Sequence, residues 1–262
     1  MCERPFFTII MTIYNGESTI EHTIKSIFNQ TFKNFELLIY NDGSIDNTDL
    51  IINKLLEKYS FKYEIFSKTG RVALLNLAIR NAKGDYICIC DCDDIWHPRK
   101  LQFQHFFLES NPKAVFVCTK MDLFTDRIDF ETYFDFAVKI IPNYLFYLYN
   151  PISHSSIAFK KGIILYADMI QHDYNLYFDL ISTNVKIYQI NKTLTFNKIH
   201  LKQNFQVGGY KYHIFSLKLL KRKIVSSRKY YFFIFYLIKF IYYILFSNLR
   251  RRMIIKSMFN KH

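Results

Sequence analysis

Residues 86–101 read Tyr-Ile-Cys-Ile-Cys-Asp-Cys-Asp-Asp-Ile-Trp-His-Pro-Arg-Lys-Leu, and the rest of the chain can be organised around them. Tyr86–Cys90 is a short apolar run of the kind that forms a buried strand, and it ends abruptly in Asp91, Asp93 and Asp94. Three carboxylates within four positions repel one another, and burying them unpaired is costly. A solvated surface turn is one way to meet that cost. The other is a divalent cation, Mg2+ or Mn2+, whose preference for hard oxygen ligands is often shared with substrate phosphates. The apolar strand before the acids and Ile95-Trp96 after them tie the turn to a core. Pro98 then opens a helix over Arg99–Leu108.

Upstream of the acids the same alternation repeats. Phe7–Thr12, Phe35–Tyr40 and Tyr63–Phe66 are strand patterns rich in β-branched and aromatic residues. Between them lie helix-period segments: one from an Ser18 N-cap, with Glu21 completing a capping box, through Phe28; then Asp46–Tyr59; then Val72–Asn81. Ala114–Thr119 is a further strand. Strands alternating with helices of this length predict βαβ units and a mainly parallel, Rossmann-like sheet flanked by helices, an α/β fold. In such sheets ligands bind at the carboxyl ends of strands. Three polar clusters fall there: Thr12-Ile13-Tyr14-Asn15, Asn41-Asp42-Gly43-Ser44, and Asp91-Cys92-Asp93-Asp94.

Half of the 262 residues are hydrophobic and 18% are aromatic, enough for a large core and too many for a disordered chain. Cys88, Cys90 and Cys92 alternate along one run, a poor disulfide set, and no second Cys pair completes a zinc pattern. They read as small buried residues in a reducing, cytosolic compartment. Residues 1–7 lack the apolar stretch of a secretory signal. Neither Gly-x-Gly-x-x-Gly nor Gly-x4-Gly-Lys-Ser/Thr is present, which argues against nicotinamide cofactors and P-loop chemistry.

Taken in order, the motifs resemble those of the family 2 glycosyltransferases of GT-A fold. The matching segments are Ile-Met-Thr-Ile-Tyr-Asn-Gly at 10–16, Ser-Ile-Phe-Asn-Gln-Thr-Phe at 26–32, Glu-Leu-Leu-Ile-Tyr-Asn-Asp-Gly-Ser-Ile-Asp at 36–46, Ala-Lys-Gly-Asp-Tyr-Ile at 82–87 and the acidic stretch at 91–101. The resemblance implies bacterial cell-surface polysaccharide or lipopolysaccharide synthesis, with a nucleotide-sugar-binding half at 1–119 and an acceptor-side half at 120–209 of one domain. It implies that Thr12 and Tyr14 line the nucleotide pocket, that Asp42 accepts from a ring N–H of the base as uracil would offer, and that Asp91 lies near the ribose. Asp93 would bind the Mn2+ or Mg2+ that bridges the diphosphate, and Asp94 would hold the loop or the sugar. Arg71 is either a diphosphate contact or a solvated helix-start cation. The Arg that the family places just before the matched Asn76 is Leu75 here.

In the second half, Asn150-Pro-Ile-Ser-His-Ser-Ser-Ile-Ala-Phe-Lys-Lys resembles the strand lining the acceptor side, so His154 is either a sugar or phosphate contact or a structural histidine. Gln171-His172-Asp173-Tyr174 precedes an amphipathic helix over Leu176–Ile181. On spacing alone Asp173 is an N-cap. The resemblance matches it instead to the catalytic base, with His172 in place of the family's Glu. His200 matches a histidine near the diphosphate or metal. The implied reaction is inverting transfer of a hexosyl or N-acetylhexosaminyl group from a UDP-sugar to a hydroxyl of a glycan or glycolipid. Transfer to a polyprenyl phosphate is the alternative acceptor chemistry.

The formal charge is +13, from 35 Lys+Arg against 22 Asp+Glu, and the 13 excess basic residues all lie in 210–262, where there is no acid. Lys221-Arg222-Lys223 and Arg228-Lys229 precede the apolar, tyrosine-rich stretch 230–246, and Arg250-Arg251-Arg252 follows it. As a helix that stretch is about 25 Å long, short for a hydrocarbon core of about 30 Å. This C-terminal basic, aromatic extension therefore predicts a helix lying in or shallowly entering an anionic membrane surface, with a full span as the other reading. The enzyme would then work at the cytoplasmic side of the cell membrane. A non-catalytic protein gripping nucleic acid through the same residues is the rival of another class, and the apolar block fits lipid better.

Overall fold

Phe7–Ile13 forms β1, buried along its whole length, because the strand lies inside the sheet with layers on both faces. That explains an apolar run without alternation. The computed structural model describes residues 4–124, 128, 130, 136–163, 165–167, 172–198, 209–226 and the isolated positions 233, 234, 237 and 241. Two compact units divide the chain: Met1–Ile141 with Ile152–Leu201, and Pro142–Pro151 with Lys202–His262.

In the first unit β1 pairs in parallel with β2 (Phe35–Asn41) and β4 (Tyr86–Ile89), and β2 pairs in parallel with β3 (Lys62–Ile65). The connecting helices are α1 (Ile20–Phe28), α2 (Thr48–Leu56) and α3 (Arg71–Asn81). This is the order β3-β2-β1-β4, which successive βαβ units produce. Beyond β4 the character changes. β8 (Ala158–Lys160) pairs antiparallel with both β4 and β6 (Phe116–Phe124), and β6 pairs in parallel with β9 (Tyr188–Lys198). β5 (Asp94–Trp96) and β7 (Val138–Ile140) add antiparallel to β9. Parallel ladders thus make up the first four strands, and antiparallel ones dominate the rest. Helices α4 (Lys100–Ser110) and α6 (His172–Ser182) complete this unit.

Several boundaries differ from the sequence expectation. Ser18 is not the cap of α1; Thr19 is, without a side-chain cap bond, because Gly16 O already accepts from the N–H groups of Thr19 and Ile20 and starts the helix one residue later. Glu21 turns instead to Lys25, 2.7 Å away. α6 begins at His172, well before Leu176, which puts Asp173 inside the first turn and not at the N-cap. Cys92 is half-buried, unlike Cys88, Cys90 and Cys118, and all four are free thiols.

Gly84 sits where β4 begins, and a Cβ there would lie 2.5 Å from the backbone nitrogen of Thr8. Only glycine lets the two strands approach this closely, which accounts for its place in the Ala-Lys-Gly-Asp segment. Its N–H donates to Thr8 Oγ1 at 2.8 Å.

The acidic turn is fastened from below by α1. Gln30, fully buried, accepts from Leu101 N at 3.0 Å and donates to the carbonyls of His97 at 2.9 Å and Ser26 at 3.2 Å. Ser26 Oγ accepts from Trp96 N at 3.2 Å. Lys100 is also fully buried: its Nζ lies 3.6 Å from the centre of the Trp96 ring and donates to Gln104 Oε1 at 3.1 Å. Burial lowers its pKa to about 8, and the neighbouring thiols Cys88, Cys90 and Cys118 oppose that fall only in part. Unfolded, a lysine titrates near about 10.4, so between these values the unfolded chain holds the extra proton and the Lys100 contribution to stability rises with pH. The buried thiols act in the opposite sense, so the readout must be a difference. The melting temperature of the wild type relative to Lys100→Met should climb from pH 8 to 10, measured by calorimetry. A difference that stays flat across that range would contradict a buried ammonium.

In the second unit, α5 (Leu145–Leu148) is a single turn and α7 (Gly209–Ser226) is its long helix. Lys218, Lys221, Arg222 and Val225 are exposed at spacings of three and four, while Leu217, Leu220 and Ile224 are buried on another face. Among the described residues no helix is long and apolar enough to cross a membrane. Most of the 230–246 stretch and the Arg250-Arg251-Arg252 block lie outside the described residues.

Candidate active site

The carboxyl ends of β1, β2 and β4 meet on one side of the sheet, where the chain's crossovers change direction. Thr12 is buried at the end of β1, and Tyr14 beyond it keeps 47% of its surface. The loops after β1 and β2 are laced together. Asn15, at φ 54°, donates its N–H to Ser44 Oγ at 2.9 Å and accepts from Ile45 N at 2.9 Å, and Gly16 N donates to Thr48 Oγ1 at 2.8 Å. Asn41 Oδ1 accepts from Ser44 N at 2.9 Å, closing the Asn-Asp-Gly-Ser turn, with Gly43 at φ 74°.

Asp42 rides on this turn. Its N–H donates to Ile13 O at 2.8 Å, and both carboxylate oxygens accept from Gly70 N, each at 3.1 Å. Gly70, at φ 93°, caps α3, so the Asp42 charge also faces the positive end of a helix. The next residue, Arg71, reaches Asp91 across the site. Its Nη2 forms an ion pair with Asp91 Oδ1 and lies 3.2 Å from His154 Nδ1. Arg71 thus begins α3 as one half of an ion pair with Asp91, its side chain partly exposed.

The Arg71–Asp91 pair sets the local electrostatics. Burial alone would raise the Asp91 carboxyl, but the Arg71 guanidinium and then His154 hold it far below the usual carboxylate range. Burial likewise works against the Arg71 charge, and Asp91 more than restores it. His154 is buried; its Nδ1 lies 3.6 Å from Asp91 Oδ1 and its Nε2 is 2.8 Å from the Tyr166 hydroxyl. The histidine is thus part of the network around Asp91. Tyr166 is clamped through its backbone by Asn76, which accepts from Tyr166 N at 2.8 Å and donates to Tyr166 O at 2.9 Å. Neither Tyr166 nor its clamp was legible beforehand.

His172 joins this group from α6, its ring 5.6 Å from that of His154 and 5.5 Å from Tyr166, in each case edge to face. Burial first, then the charges of His154 and Arg71, push its pKa down to about 4, so His172 is neutral at physiological pH. The charge of Asp173 acts on Arg71, Tyr166 and Tyr177, which places it at the rim of the same cluster. Thr12, Tyr14, Asp42, Arg71, Asp91, His154, His172 and Asp173 therefore fall at one end of the sheet. His200 lies outside the described residues.

Asp94 differs from its neighbours. Only 2% exposed in β5, it is hydrogen-bonded by Ser155, whose Oγ accepts from Asp91 N at 2.8 Å. Its Oδ2 is buried without a partner. Burial, and then the Asp91 and Asp93 charges, push this carboxyl well above the usual range, which suits a protonated acid that holds the turn. Its burial sets it inside the turn.

Asp93 lies on the wall of a cavity of about 240 Å³. Among the described residues no three His, Cys, Asp or Glu side chains converge to hold a metal on their own. One carboxylate on an open wall, beside another committed to Arg71, fits a hard cation that takes most of its ligands from a diphosphate and water.

A parallel first half-sheet, an acidic turn at its switch point and a mixed second half make up a GT-A glycosyltransferase fold. The model of glycosyl transferase family 2 matches residues 8–161, and the chain belongs to that family. A glycosyltransferase of Rickettsia prowazekii is 31% identical over 215 residues, covering 76% of this chain and 65% of its own. The Escherichia coli UDP-Glc:alpha-D-GlcNAc-diphosphoundecaprenol beta-1,3-glucosyltransferase WfaP is 28% identical over 195 residues, covering 74% of this chain and 77% of its own. Staphylococcus aureus TarS 1–349 in complex with UDP-GlcNAc has the same fold, with a TM-score of 0.66 at 18% identity over 84% of this chain and 66% of that one. The chain spans 64% of the length of its Rickettsia typhi relative and 65% of that from Rickettsia prowazekii.

Proposed function

We propose that the chain transfers a sugar from a UDP-sugar donor to a hydroxyl of a bacterial surface glycan or glycolipid, inverting the anomeric configuration. The observation that carries this reading is the Arg71–Asp91–His154 network at the ends of β1, β2 and β4, with Asp173 at its rim. Thr12, Tyr14 and Asp42 would receive the uridine, Asp91 the ribose, and Arg71 the diphosphate. WfaP by its name uses UDP-glucose, and TarS holds UDP-GlcNAc, which supports a uridine donor.

Asp173 would take the proton from the acceptor hydroxyl as its oxygen attacks the anomeric carbon from the face opposite the diphosphate. A single displacement of this kind turns an α-linked donor into a β-linked product. His172, being neutral, would add no positive charge beside Asp173. Arg71 would stay charged throughout and meet the leaving nucleoside diphosphate. Mn2+ or Mg2+ held by Asp93 would supply further neutralisation of that diphosphate.

Screening UDP-sugars with Mn2+, Mg2+ or chelator, and measuring UDP release, tests the reading. Release is expected with one donor class and should drop to background on chelation; release indifferent to chelator would remove Asp93 from a metal-binding role.

The basic face of α7 supports the further proposal that the chain works at the cytoplasmic face of the membrane, peripheral or shallowly inserted, through residues 210–262. Each surface-proximal cation contributes about 1 kcal/mol toward anionic lipid. Cosedimentation with phosphatidylglycerol vesicles should be salt-sensitive and weakened by Lys218→Glu, Lys221→Glu and Arg222→Glu together. Equal binding to neutral vesicles would overturn the electrostatic part of this proposal.

A further inference from the structure

The turn that carries Asp42 is tied down by two residues outside every segment that shows the family resemblance. The Tyr63 hydroxyl, on β3, lies 3.0 Å from Asp49 Oδ1, in the first turn of α2, and 2.7 Å from Asn41 Nδ2. Asn41 is buried and Tyr63 half-buried.

The chemistry of the groups fixes which way each bond runs. A carboxylate only accepts, so the Tyr63 O–H donates to Asp49. The tyrosine oxygen then offers Asn41 only a lone pair, and the Asn41 amide nitrogen donates to it. That turns Asn41 Oδ1 toward Ser44, where it accepts from Ser44 N at 2.9 Å and from the Ser44 hydroxyl at 2.7 Å. With its hydrogen committed there, Ser44 Oγ accepts from Asn15 N at 2.9 Å. Every bond from Asn15 to Asp49 thus points the same way, an arrangement in which each link polarises the next. Burial pushes the Tyr63 hydroxyl up to about 12; the Asn41 contact opposes this and the Asp49 contact adds to it, so the hydroxyl keeps its proton at working pH. The helix dipole favours the Asp49 charge at the far end of the row.

The row passes on both sides of Asp42. It closes the turn from Asn41 to Ser44, and it supports Asn15, beside Tyr14, at a φ of 54° that a residue with a side chain seldom adopts. We infer that Tyr63 and Asp49 are positioning residues for nucleotide recognition, which act through Asn41 and Ser44 to hold the Asp42 carboxylate in line with the ring N–H of the base. The inference rests on the uridine reading above. It adds that the affinity for the base is set in part by a tyrosine and a carboxylate behind the turn.

Calorimetric titration of the full chain with UDP and with 3-methyl-UDP, whose ring nitrogen carries no hydrogen, tests this. The wild type should prefer UDP. Tyr63→Phe should weaken UDP about fivefold, equivalent to about 1 kcal/mol, and leave 3-methyl-UDP within twofold, so that the preference shrinks. Asp49→Ala should do the same, and combining it with Tyr63→Phe should add nothing further, because both break one row. Asp49→Asn keeps an acceptor oxygen for the tyrosine and should retain UDP affinity within twofold of the wild type. If Asp49→Ala does not fold, loss of preference in Tyr63→Phe with its retention in Asp49→Asn carries the same support. Equal weakening of both ligands would make the Tyr63–Asp49 pair a general tie between β3 and α2 and overturn the inference alone, as would unchanged UDP affinity in Tyr63→Phe or additive losses in the double variant. A wild type that binds UDP no better than 3-methyl-UDP would overturn the contact of the base with Asp42, and this inference with it.

Discussion

Replacing Asp173 by Asn is expected to lower turnover by about a thousandfold while leaving the KM for the UDP-sugar nearly unchanged. The amide keeps the shape and most of the hydrogen bonding of the carboxylate but cannot accept the acceptor's proton. Asp173 lies in the first turn of α6, so the substitution also removes a favourable charge from a helix N-terminus, worth about 0.3–1 kcal/mol. That is a stability effect, and it does not enter kcat. Slow UDP release by hydrolysis, which needs no acceptor hydroxyl, should fall much less than transfer. If Asp173→Asn kept turnover within a few-fold of the wild type, the base would have to be sought elsewhere on the rim, and His172, neutral at working pH, would be the next group to test.

The second large effect is expected at Arg71. Arg71→Met removes the cation opposite Asp91 and, on the proposed reading, the contact to the diphosphate. UDP affinity measured by calorimetry should weaken about tenfold or more, equivalent to about 1.4 kcal/mol. Stability should fall too. Breaking a fully buried ion pair costs about 3–5 kcal/mol. The Arg71 side chain keeps 38% of its surface and Asp91 25%, so solvent screens this pair and the expected loss is nearer about 1–2 kcal/mol. Its pH dependence identifies the cause. The Asp91 carboxyl is depressed in the folded chain, so its contribution is complete above the ordinary carboxylate range near about 4 and is lost as pH falls below it. The gap in stability between wild type and Arg71→Met should therefore narrow on acidification. A gap that stays constant from neutral pH to pH 3 would show that lost packing by the long Arg71 side chain, and not the pairing of charges, is responsible.

The sequence showed the half of the fold that is governed by local pattern. β1, β2 and β4 are buried on both faces and long enough to read as apolar runs, and the acids after β4 mark its end. β5 and β7 could not be read, since three residues carry no periodicity, and β8 was legible only through the family resemblance of 150–161; each exists because a neighbouring strand offers it a ladder. The cap of α1 was misread because a backbone turn at Gly16 takes over the role a side chain would have played. In the site, the motif residues were legible by type and order, whereas their support was not. Tyr166 sits in an aliphatic stretch with no marker, and its position depends on Asn76, far away in the sequence. Gln30 looked like an ordinary polar residue at the end of a helix, although its three hydrogen bonds fasten the segment after the acids. Lys100 lay in plain view beside the acidic stretch, yet its complete burial under Trp96 runs against what a lysine usually signals.

β9 carries β5 along with β6 and β7, and that pairing has a bearing on how the protein is made. As the chain leaves the ribosome, β1 to β4 can pair with one another as soon as Ile89 has emerged, leaving only the far edge of β4 open for β8. The acidic turn cannot be finished then. Asp94, Ile95 and Trp96 wait for Asn197, Phe196 and Thr195, which are synthesised last among the strands. The chain thus completes β1 to β4 early and lacks a fixed acidic turn until almost its entire first unit has been translated.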